Sequence, residues 1–392
     1  MSYQALEGCY EELSVQNERK IHVAHLIHTM AYGGIETALL NWMKTFDRNR
    51  FQVTLFCFSN PGKTEQPFID VAKSYGFNVQ TIPWNRKKPV FKAARLLAQA
   101  VREQKIEIIH SHNTYANLVT LFTARIAPIR TVTTLYVWGN FGFVRNALQW
   151  ADRLMMRWFD VVSAHCKETY TRTLELGYPA DRLKLFVCGY ETNPVSMTGS
   201  ERNEGRAALN CSSSDFVFVN VARFWPEKAH DILLEGFRLV LRQHSNARLW
   251  LLGSGPEESS VRNMVEQMQL QDSVQFLGFR SDLERILAMS DVQVHPSDME
   301  GVPLAVCAGL AAGLPVLATE VGGLSEIIRS GENGILIPPR DSQRLAQEMI
   351  RLLEDAQFRH QLGEAGKDFI QEEYSLKAAA RHVEQSYLEL AL

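Results

Sequence analysis

The chain has 392 residues, of which 46% are hydrophobic and 22% charged, and its formal net charge is −3. This length predicts two domains, because a domain typically has about 100–200 residues. The composition is that of a globular protein without a membrane-spanning helix, since a run of about 18 apolar residues does not occur in the sequence.

Strands and helices alternate in the first half of the chain. The polar start MSYQALEGCYEELSVQNERK lacks the pattern of a signal peptide. Strands are then predicted at 21–28 (IHVAHLIH), 51–58, 78–84, 106–112 (IEIIHSH) and 129–138. Helices are predicted between them, over 68–77, 90–104 and 116–127, and 31–46 is predicted as a loop followed by a helix that begins near Ile35. Such alternation predicts βαβ units and a doubly wound parallel sheet.

The alternation restarts at residue 215 and predicts a second domain of the same class. Strands are expected at 215–224, 247–255, 273–279, 291–297, 314–323 and 333–339, with helices between them and two amphipathic helices at the end. The segment 192–213 is polar and rich in Ser, Asn and Gly, which predicts a hinge between the two domains.

Charge is distributed unevenly between the two halves. Residues 1–190 contain 23 Lys and Arg against 15 Asp and Glu, and residues 191–392 contain 18 against 29. The basic stretch 84–104, headed by Trp84, is either a solvated helix face or a contact with an anionic membrane or a phosphorylated acceptor. Nucleic acid is not expected as a partner, because the domain is only mildly basic and shows no recognised binding motif.

The six cysteines are scattered along the chain and include no CxxC pair. This pattern favours reduced thiols in a cytoplasmic protein over a disulfide framework or a zinc site.

Residues that follow strands are the candidates for chemistry, because ligands bind beyond the carboxyl ends of the strands in such sheets. Gly33 and Gly34 precede a helix and form either an anion site or a simple turn with Glu36 as a first-turn acid. Arg223 and Lys228 follow the apolar run FVFVNV (216–221) of a predicted strand. They are either phosphate ligands or surface charges.

Two further strand ends carry weaker candidates. His110 and His112 are two residues apart and should share one face, with His112 nearer the strand end and either structural or functional. No other His, Cys or acidic cluster is near them in the sequence, so zinc is not expected. Gly253 and Ser254 form either a backbone contact to a ligand or an ordinary turn.

The stretch HPSDMEGVPLAV places Glu300 before the start of a helix. The N–H groups of a helix start suit a phosphate, whereas a carboxylate suits hydroxyl groups. Together they indicate a phosphorylated or nucleotide-linked sugar. The alternative is a first-turn acid that only complements the helix dipole.

These pieces together resemble a known family. In order, they are GGIETALLNW, IIHSH, VNVARFWPEK, LWLLGSGPE, VQFLGF, DVQVHPSDMEGVPLAV, AAGLPVLATEVGGLSEII and NGILIPPRD. They make the chain similar to the retaining glycosyltransferases of family 4 with the GT-B fold, from about residue 21 to the end. The resemblance implies an acceptor-binding Rossmann-like domain (1–191), a nucleotide-sugar-binding one (192–373) and a final helix (374–392) that crosses back to the first.

The resemblance also implies roles for individual residues. The donor would be a UDP- or GDP-sugar, used without a metal or another cofactor. Glu300 and His112 would lie at the hexose, and Arg223 and Lys228 at the diphosphate. Further donor contacts are implied for Gly33, Gly34, Gly253, Ser254, the base-binding Phe279 and Arg280, and the helix start Gly301, Val302, Pro303 and Leu304.

Four positions depart from the family pattern. Ala308 replaces the second acid of the paired-glutamate motif, which holds the ribose in relatives; the others are Tyr136, His165 and Cys188.

The expected function is transfer of a hexose to a glycan or lipid-linked acceptor in cell-surface polysaccharide synthesis, in the cytoplasm or at the inner face of the membrane. A catalytically silent subunit that binds a partner enzyme or a glycan is the alternative that the departures favour. A sugar-nucleotide epimerase fits the fold but not the order of the motifs.

Overall fold

The computed structural model describes residues 19–29, 33–85, 88–136, 143–187, 189–191 and 195–391. They form two parallel sheets, one of seven and one of six strands. Helices flank both sheets, so the prediction of two doubly wound α/β domains is confirmed.

The first sheet contains seven strands, β1 to β7. They are Ile21–Ile27, Phe51–Ser59, Asn78–Pro83, Ile108–Ser111, Arg130–Leu135, Val161–Ala164 and Leu183–Leu185. Their spatial order is β3-β2-β1-β4-β5-β6-β7, with β3 at the edge as its sequence indicated. The winding direction reverses between β1 and β4, which opens a crevice beyond the carboxyl ends of these two strands.

Six helices connect these strands. They are α1 (Gly34–Thr45), α2 (Gln66–Ser74), α3 (Val90–Gln104), α4 (Thr114–Ala124), α5 (Phe143–Met156) and α6 (Lys167–Glu175). Because crossovers are right-handed, the reversal at β1 puts α1 and α2 on one face of the sheet and α3, α4 and α5 on the other. Helix α4 packs between α3 and α5.

The second sheet repeats this plan with six strands, β8 to β13. They are Phe216–Val221, Ala247–Leu252, Val274–Gly278, Val292–His295, Val316–Thr319 and Ile335–Ile337, in the order β10-β9-β8-β11-β12-β13. Here the reversal lies between β8 and β11, so the loops after these two strands border the second crevice.

The helices of the second domain are α7 to α14. They are Gly199–Ala208, His230–Leu241, Glu258–Gln267, Leu283–Met289, Leu304–Ala311, Leu324–Ile327, Ser342–Glu354 and Ala356–Glu373.

The connection between the domains is shorter than the sequence indicated. Ten residues of the expected hinge 192–213 form helix α7, and only 192–194 lies outside the described residues. Arg206 of α7 is 1% exposed, and its guanidinium donates to Asp291 Oδ2 at 2.7 Å and to the Met289 carbonyl at 2.8 Å. These bonds fix α7 to the second domain. The departure at Cys188 also lies outside the described residues.

The chain crosses back to the first domain at its end. Helix α15 (Leu376–Ala391) packs on α1, and Ala379, Val383 and Tyr387 belong to the first domain's core. No helix in the described part of the chain is long and apolar enough to cross a membrane.

Candidate active site

Glu300 lies at the crevice of the second sheet and pairs with two basic side chains. Its Oε1 is 2.5 Å from Lys228 Nζ and 2.5 Å from His295 Nε2. Lys228 belongs to the loop after β8, and His295 is the last residue of β11. The two strands are neighbours, so the parallel topology brings together groups that are 72 residues apart in sequence.

The carboxylate of Glu300 is held in its ionised form. Burial, the largest influence, raises its pKa, but the positive charge of Lys228 and the hydrogen bonds from His295 and Lys228 outweigh it. The pKa of Glu300 is therefore far below its usual value. An ionised carboxylate in a crevice accepts hydrogen bonds from hydroxyl groups well.

Two glycines of the loop after β12 hold the backbone of Glu300 in place. Gly322 has φ +56°, and a Cβ there would lie 1.8 Å from the Glu300 carbonyl oxygen. A Cβ at Gly323 would lie 2.7 Å from the Gly301 carbonyl oxygen. Only glycine permits this close approach, so the sequence VGG is required by packing against the Glu300 loop.

The start of helix α11 is covered by the first domain. The Val302 N–H donates to His165 Nε2 at 3.3 Å, and Val302 packs in one apolar cluster with Cys166. A Cβ at Gly301 would lie 1.9 Å from His165 Nε2, so glycine is required here too. Leu304 packs against the first domain's core. The helix start predicted to bind phosphate thus has one N–H bonded to an imidazole.

The hydrogen bonds of the His165 ring show which of its nitrogens carries the proton. Its Nδ1 lies 3.1 Å from the Leu135 carbonyl and must donate, so Nε2 is the acceptor of the Val302 N–H. Burial lowers the pKa of His165 to about 4, which keeps the imidazole neutral near pH 7.

Across the crevice, helix α1 begins at Gly34 beside a buried acid. Glu36 accepts from Thr29 Oγ1 at 2.5 Å and from the Gly33 N–H at 3.1 Å. Burial raises the pKa of Glu36, while the charge of Arg223 in the second domain acts in the opposite direction. The charge of Arg223 therefore acts on Glu36, which lies in the first turn of the helix after Gly33. Space beside Gly34 is open, since a Cβ there would have no neighbour within 4 Å.

His112 is buried behind Tyr136 and has 0% exposure. Its Nδ1 bonds to the Tyr136 hydroxyl at 2.9 Å, and its Nε2 bonds to His25 Nδ1 at 2.9 Å. The Tyr136 ring in turn lies 5.6 Å from the His165 ring. The sequence prediction placed His112 itself at the ligand, whereas the structure places Tyr136 between His112 and His165.

His25, His110 and His112 form the one described group whose side chains could together hold a metal ion, with ligand atoms within 4.8 Å of one another. The sequence argument against zinc missed His25, which β1 brings beside β4. Both nitrogens of His110 bond, to Tyr387 Oη and Thr134 Oγ1 at 2.6 Å each. Within the described residues, only His25 Nε2 of this cluster has no partner. We interpret the cluster as a neutral hydrogen-bond network.

The remaining predicted residues lie around the second crevice in different settings. Gly253 has φ +133°, and a Cβ there would lie 2.0 Å from the Ala222 carbonyl oxygen, so the Gly253–Ser254 turn has a structural cause. Phe279 is 70% exposed, and Arg280 pairs with Asp282 at 2.6 Å.

Ala308 is 2% exposed and belongs to an apolar cluster with Val217, Trp250 and Met289. The structure therefore surrounds the position of the missing acid with apolar side chains.

Sequence reasoning missed His295, His25 and the contact of His165. His295 lies near the end of the strand predicted at 291–297, five residues before Glu300, and this spacing was the available signal. The partners of His25 and His165 are distant in sequence, at separations of 87 and 137 residues, so no local pattern reveals them.

Two family models match the chain in succession. Residues 32–193 match Glycosyltransferase Family 4, and residues 201–369 match Glycosyl transferases group 1. The boundary between them coincides with the segment between β7 and α7.

Individual relatives match most of the chain at low identity. The N-acetyl-alpha-D-glucosaminyl L-malate synthase of Bacillus anthracis is 25% identical over 76% of this chain and 78% of its own length. The UDP-Gal:alpha-D-GlcNAc-diphosphoundecaprenol alpha-1,3-galactosyltransferase of Escherichia coli is 23% identical over 86% and 89%.

The crystal structure of Anabaena HepE in complex with UDP-glucose has the same fold. The superposition of the two structures has a TM-score of 0.83 and covers 93% of this chain and 99% of HepE. The two sequences are 21% identical. With both domains matched by family models and the fold shared over almost the whole chain, the protein belongs to the GT-B glycosyltransferases of the family 4 type.

Proposed function

We propose that this glycosyltransferase transfers a hexose from a UDP- or GDP-sugar to a glycan or lipid-linked acceptor, with retention at the anomeric carbon, in cell-surface polysaccharide assembly. The observation that carries the proposal is Glu300, ionised between Lys228 and His295 at the crevice beside the start of α11. The carboxylate can bind sugar hydroxyls, and the neighbouring cations and helix start can bind phosphates. Together these groups fit a nucleotide-diphosphate sugar.

The diphosphate would lie between the two crevices. Arg223 and Lys228 would supply positive charge from the second domain, and Gly34 would supply a backbone N–H from the first, since the Gly33 N–H already donates to Glu36. At the start of α11, the donor would compete with His165 for the Val302 N–H. Phe279 and Arg280 would border the base, as the family resemblance implies.

The chemistry needs stabilisation of the leaving diphosphate more than it needs a strong base. The bond between the anomeric carbon and the phosphate oxygen breaks, and its electron pair leaves with the diphosphate. The acceptor hydroxyl oxygen bonds to the same face of that carbon, and its proton passes to the departing phosphate oxygen. Arg223, Lys228 and the α11 dipole would supply the positive charge, so we propose a metal-independent reaction.

Relatives support this choice of substrates. HepE was crystallised with UDP-glucose, and the Escherichia coli relative is named for a UDP-galactose donor and a diphosphoundecaprenol-linked acceptor. We therefore propose a lipid-linked or glycan acceptor at the first domain, and a place of action at the inner face of a membrane.

Calorimetric titration of the full chain against UDP-, GDP- and ADP-sugars tests the donor. We expect one nucleotide series to bind, with or without EDTA, and the bound sugar to be transferred. The anomeric coupling constant of the product, read by NMR, should show retention. A folded protein that binds none of these sugars, or an inverted product, would contradict the proposal.

A silent, partner-binding subunit is the second candidate function. The apolar surroundings of Ala308 favour it, because the acid that holds the ribose in relatives has no counterpart there. In that case the titration gives no heat with any donor, while a partner glycosyltransferase or a glycan binds the same sample.

A further inference from the structure

Helices α3, α4 and α5 expose large apolar side chains on one layer of the first domain. Phe91 is 68% exposed, Trp150 65% and Trp158 55%. Among the described side chains on or just beyond these helices, the exposed large apolar ones are Phe91, Leu96, Phe122, Ile126, Trp150, Leu154 and Trp158, which we call the apolar face. Exposed apolar side chains concentrated on one face mark an interaction site.

On helix α5 these side chains form a stripe. Trp150 and Leu154 are four residues apart and so share one side of the helix, Trp158 follows in the turn just beyond its end, and Met155 and Met156 are buried in the core. A helix with tryptophan and leucine outside and its other face packed suits the interface of a bilayer, where the amphipathic indole ring is favoured.

Helices α3 and α4 continue the face. The rings of Phe91 and Phe122 lie 4.7 Å apart, so one apolar pair bridges the two helices. Helices in βαβ units run antiparallel to their strands, so the first turns of α3, α4 and α5 lie at the crevice edge of the sheet. Phe91 lies on the first turn of α3, whereas Phe122 and Leu154 lie on the last turns of α4 and α5. The apolar face therefore extends from the crevice edge towards the opposite edge of the sheet.

The charge around the face is positive. The exposed ionisable residues of α3 are Lys92, Arg95, Arg102 and Glu103, and Arg157 lies beside Trp158. The half of the chain beyond residue 190, with 18 basic and 29 acidic residues, carries the opposite charge. An anionic surface would attract the apolar face and repel the second domain, which orients the molecule.

We propose that the apolar face docks on the surface of an anionic lipid bilayer. The inference rests on the proposed function and deepens it, because a lipid-linked acceptor presents its sugar at a bilayer surface. It is tested without substrates, so its failure and the failure of the donor titration are separate results.

The experiment is flotation of the full chain with vesicles of phosphatidylcholine, alone or mixed equally with phosphatidylglycerol. We expect binding to the anionic vesicles only, weakened by salt. The double variants Trp150→Ala/Trp158→Ala and Lys92→Glu/Arg95→Glu should each reduce partitioning about tenfold or more. Circular dichroism of each variant should match the unchanged protein, since all four side chains are exposed.

Matched controls use exposed residues elsewhere. Tyr75→Ala, just beyond α2 and 47% exposed, and Lys377→Glu/Arg381→Glu on α15 should leave flotation unchanged. The proposal is overturned if anionic vesicles do not bind, or if the controls lose as much binding as the test variants. Loss of a dimer in the tryptophan variant by analytical ultracentrifugation, without vesicle binding, would identify a protein interface in its place.

Discussion

Replacing Glu300 by glutamine removes the charge of the carboxylate and keeps its shape. The side chains of Glu300, Lys228 and His295 are 7%, 13% and 2% exposed, so the lost charge leaves Lys228 largely buried without its anion. Breaking a buried ion pair from one side costs about 3–5 kcal/mol. Because Lys228 keeps some access to solvent, we expect the Glu300→Gln variant to lose about 3 kcal/mol of unfolding free energy.

The loss should depend on pH in a defined direction. The folded-state pKa of Glu300 lies well below its ordinary value of 4.5, so its ionised form stabilises the fold above that pH. This contribution disappears progressively as the pH falls below 4.5 towards the folded-state pKa. Glutamine does not titrate, so the difference between the two proteins should be full at pH 7 and shrink in acid.

Urea unfolding measures this difference, and Glu348→Gln is the matched control. Glu348 is also a buried acid of the second domain, 5% exposed and 2.6 Å from Arg344, but it lies on α13 away from the crevice. Both variants should lose stability, and only Glu300→Gln should lose transfer. One lost charged hydrogen bond costs about 1.5–3 kcal/mol, so affinity for the donor sugar should fall about 10- to 150-fold.

Affinity for the nucleotide diphosphate alone should change less, because Glu300 is assigned to the hexose. The reasoning is refuted if Glu300→Gln unfolds like the unchanged protein at pH 7, or if its stability difference is the same at every pH. Equal losses of transfer in Glu300→Gln and Glu348→Gln would refute the assignment of Glu300 to the sugar.

Three further substitutions test other parts of the structure. Gly301→Ala should abolish donor transfer, because its Cβ would lie 1.9 Å from His165 Nε2; adding His165→Ala should restore part of the activity, and no restoration would contradict the steric explanation. Ala308→Glu should lower the unfolding free energy by about 2–3 kcal/mol, since it buries an acid among apolar side chains; an unchanged melting temperature with tighter donor binding would show a free ribose subsite. Tyr387→Phe should cost about 1–3 kcal/mol in urea unfolding, because it leaves His110 Nδ1 unpaired in the core; a stability equal to that of the unchanged protein would show that the bond is dispensable.

Much of the fold follows from local sequence. The strand predicted at 51–58 is Phe51–Ser59, and the helix predicted at 90–104 is Val90–Gln104, because period and β-branched content are local properties. The polar hinge is the exception. Its sequence is rich in turn formers, but Arg206 and the capping contacts of Thr198 with Glu201 make residues 199–208 a helix of the second domain.

For the candidate site, the sequence by itself predicted which loops lie at the crevice, since strand ends in a parallel sheet meet at one edge. On that basis it proposed Glu300, Arg223 and Lys228 as site residues. The family and the two-domain architecture also follow from the sequence, because many short motifs in a fixed order specify them jointly.

Only the tertiary structure decided what each of these groups contacts. Glu300 meets Lys228 because β8 and β11 are neighbours, and Val302 meets His165 because the two domains touch. In the same way, His112 is enclosed by His25 and Tyr136, and Ala308 by apolar side chains. Hydrogen bonds and ion pairs act over a few ångströms in space, whereas the residues that they join can be far apart along the chain, as His165 and Val302 are at 137 positions and His110 and Tyr387 at 277.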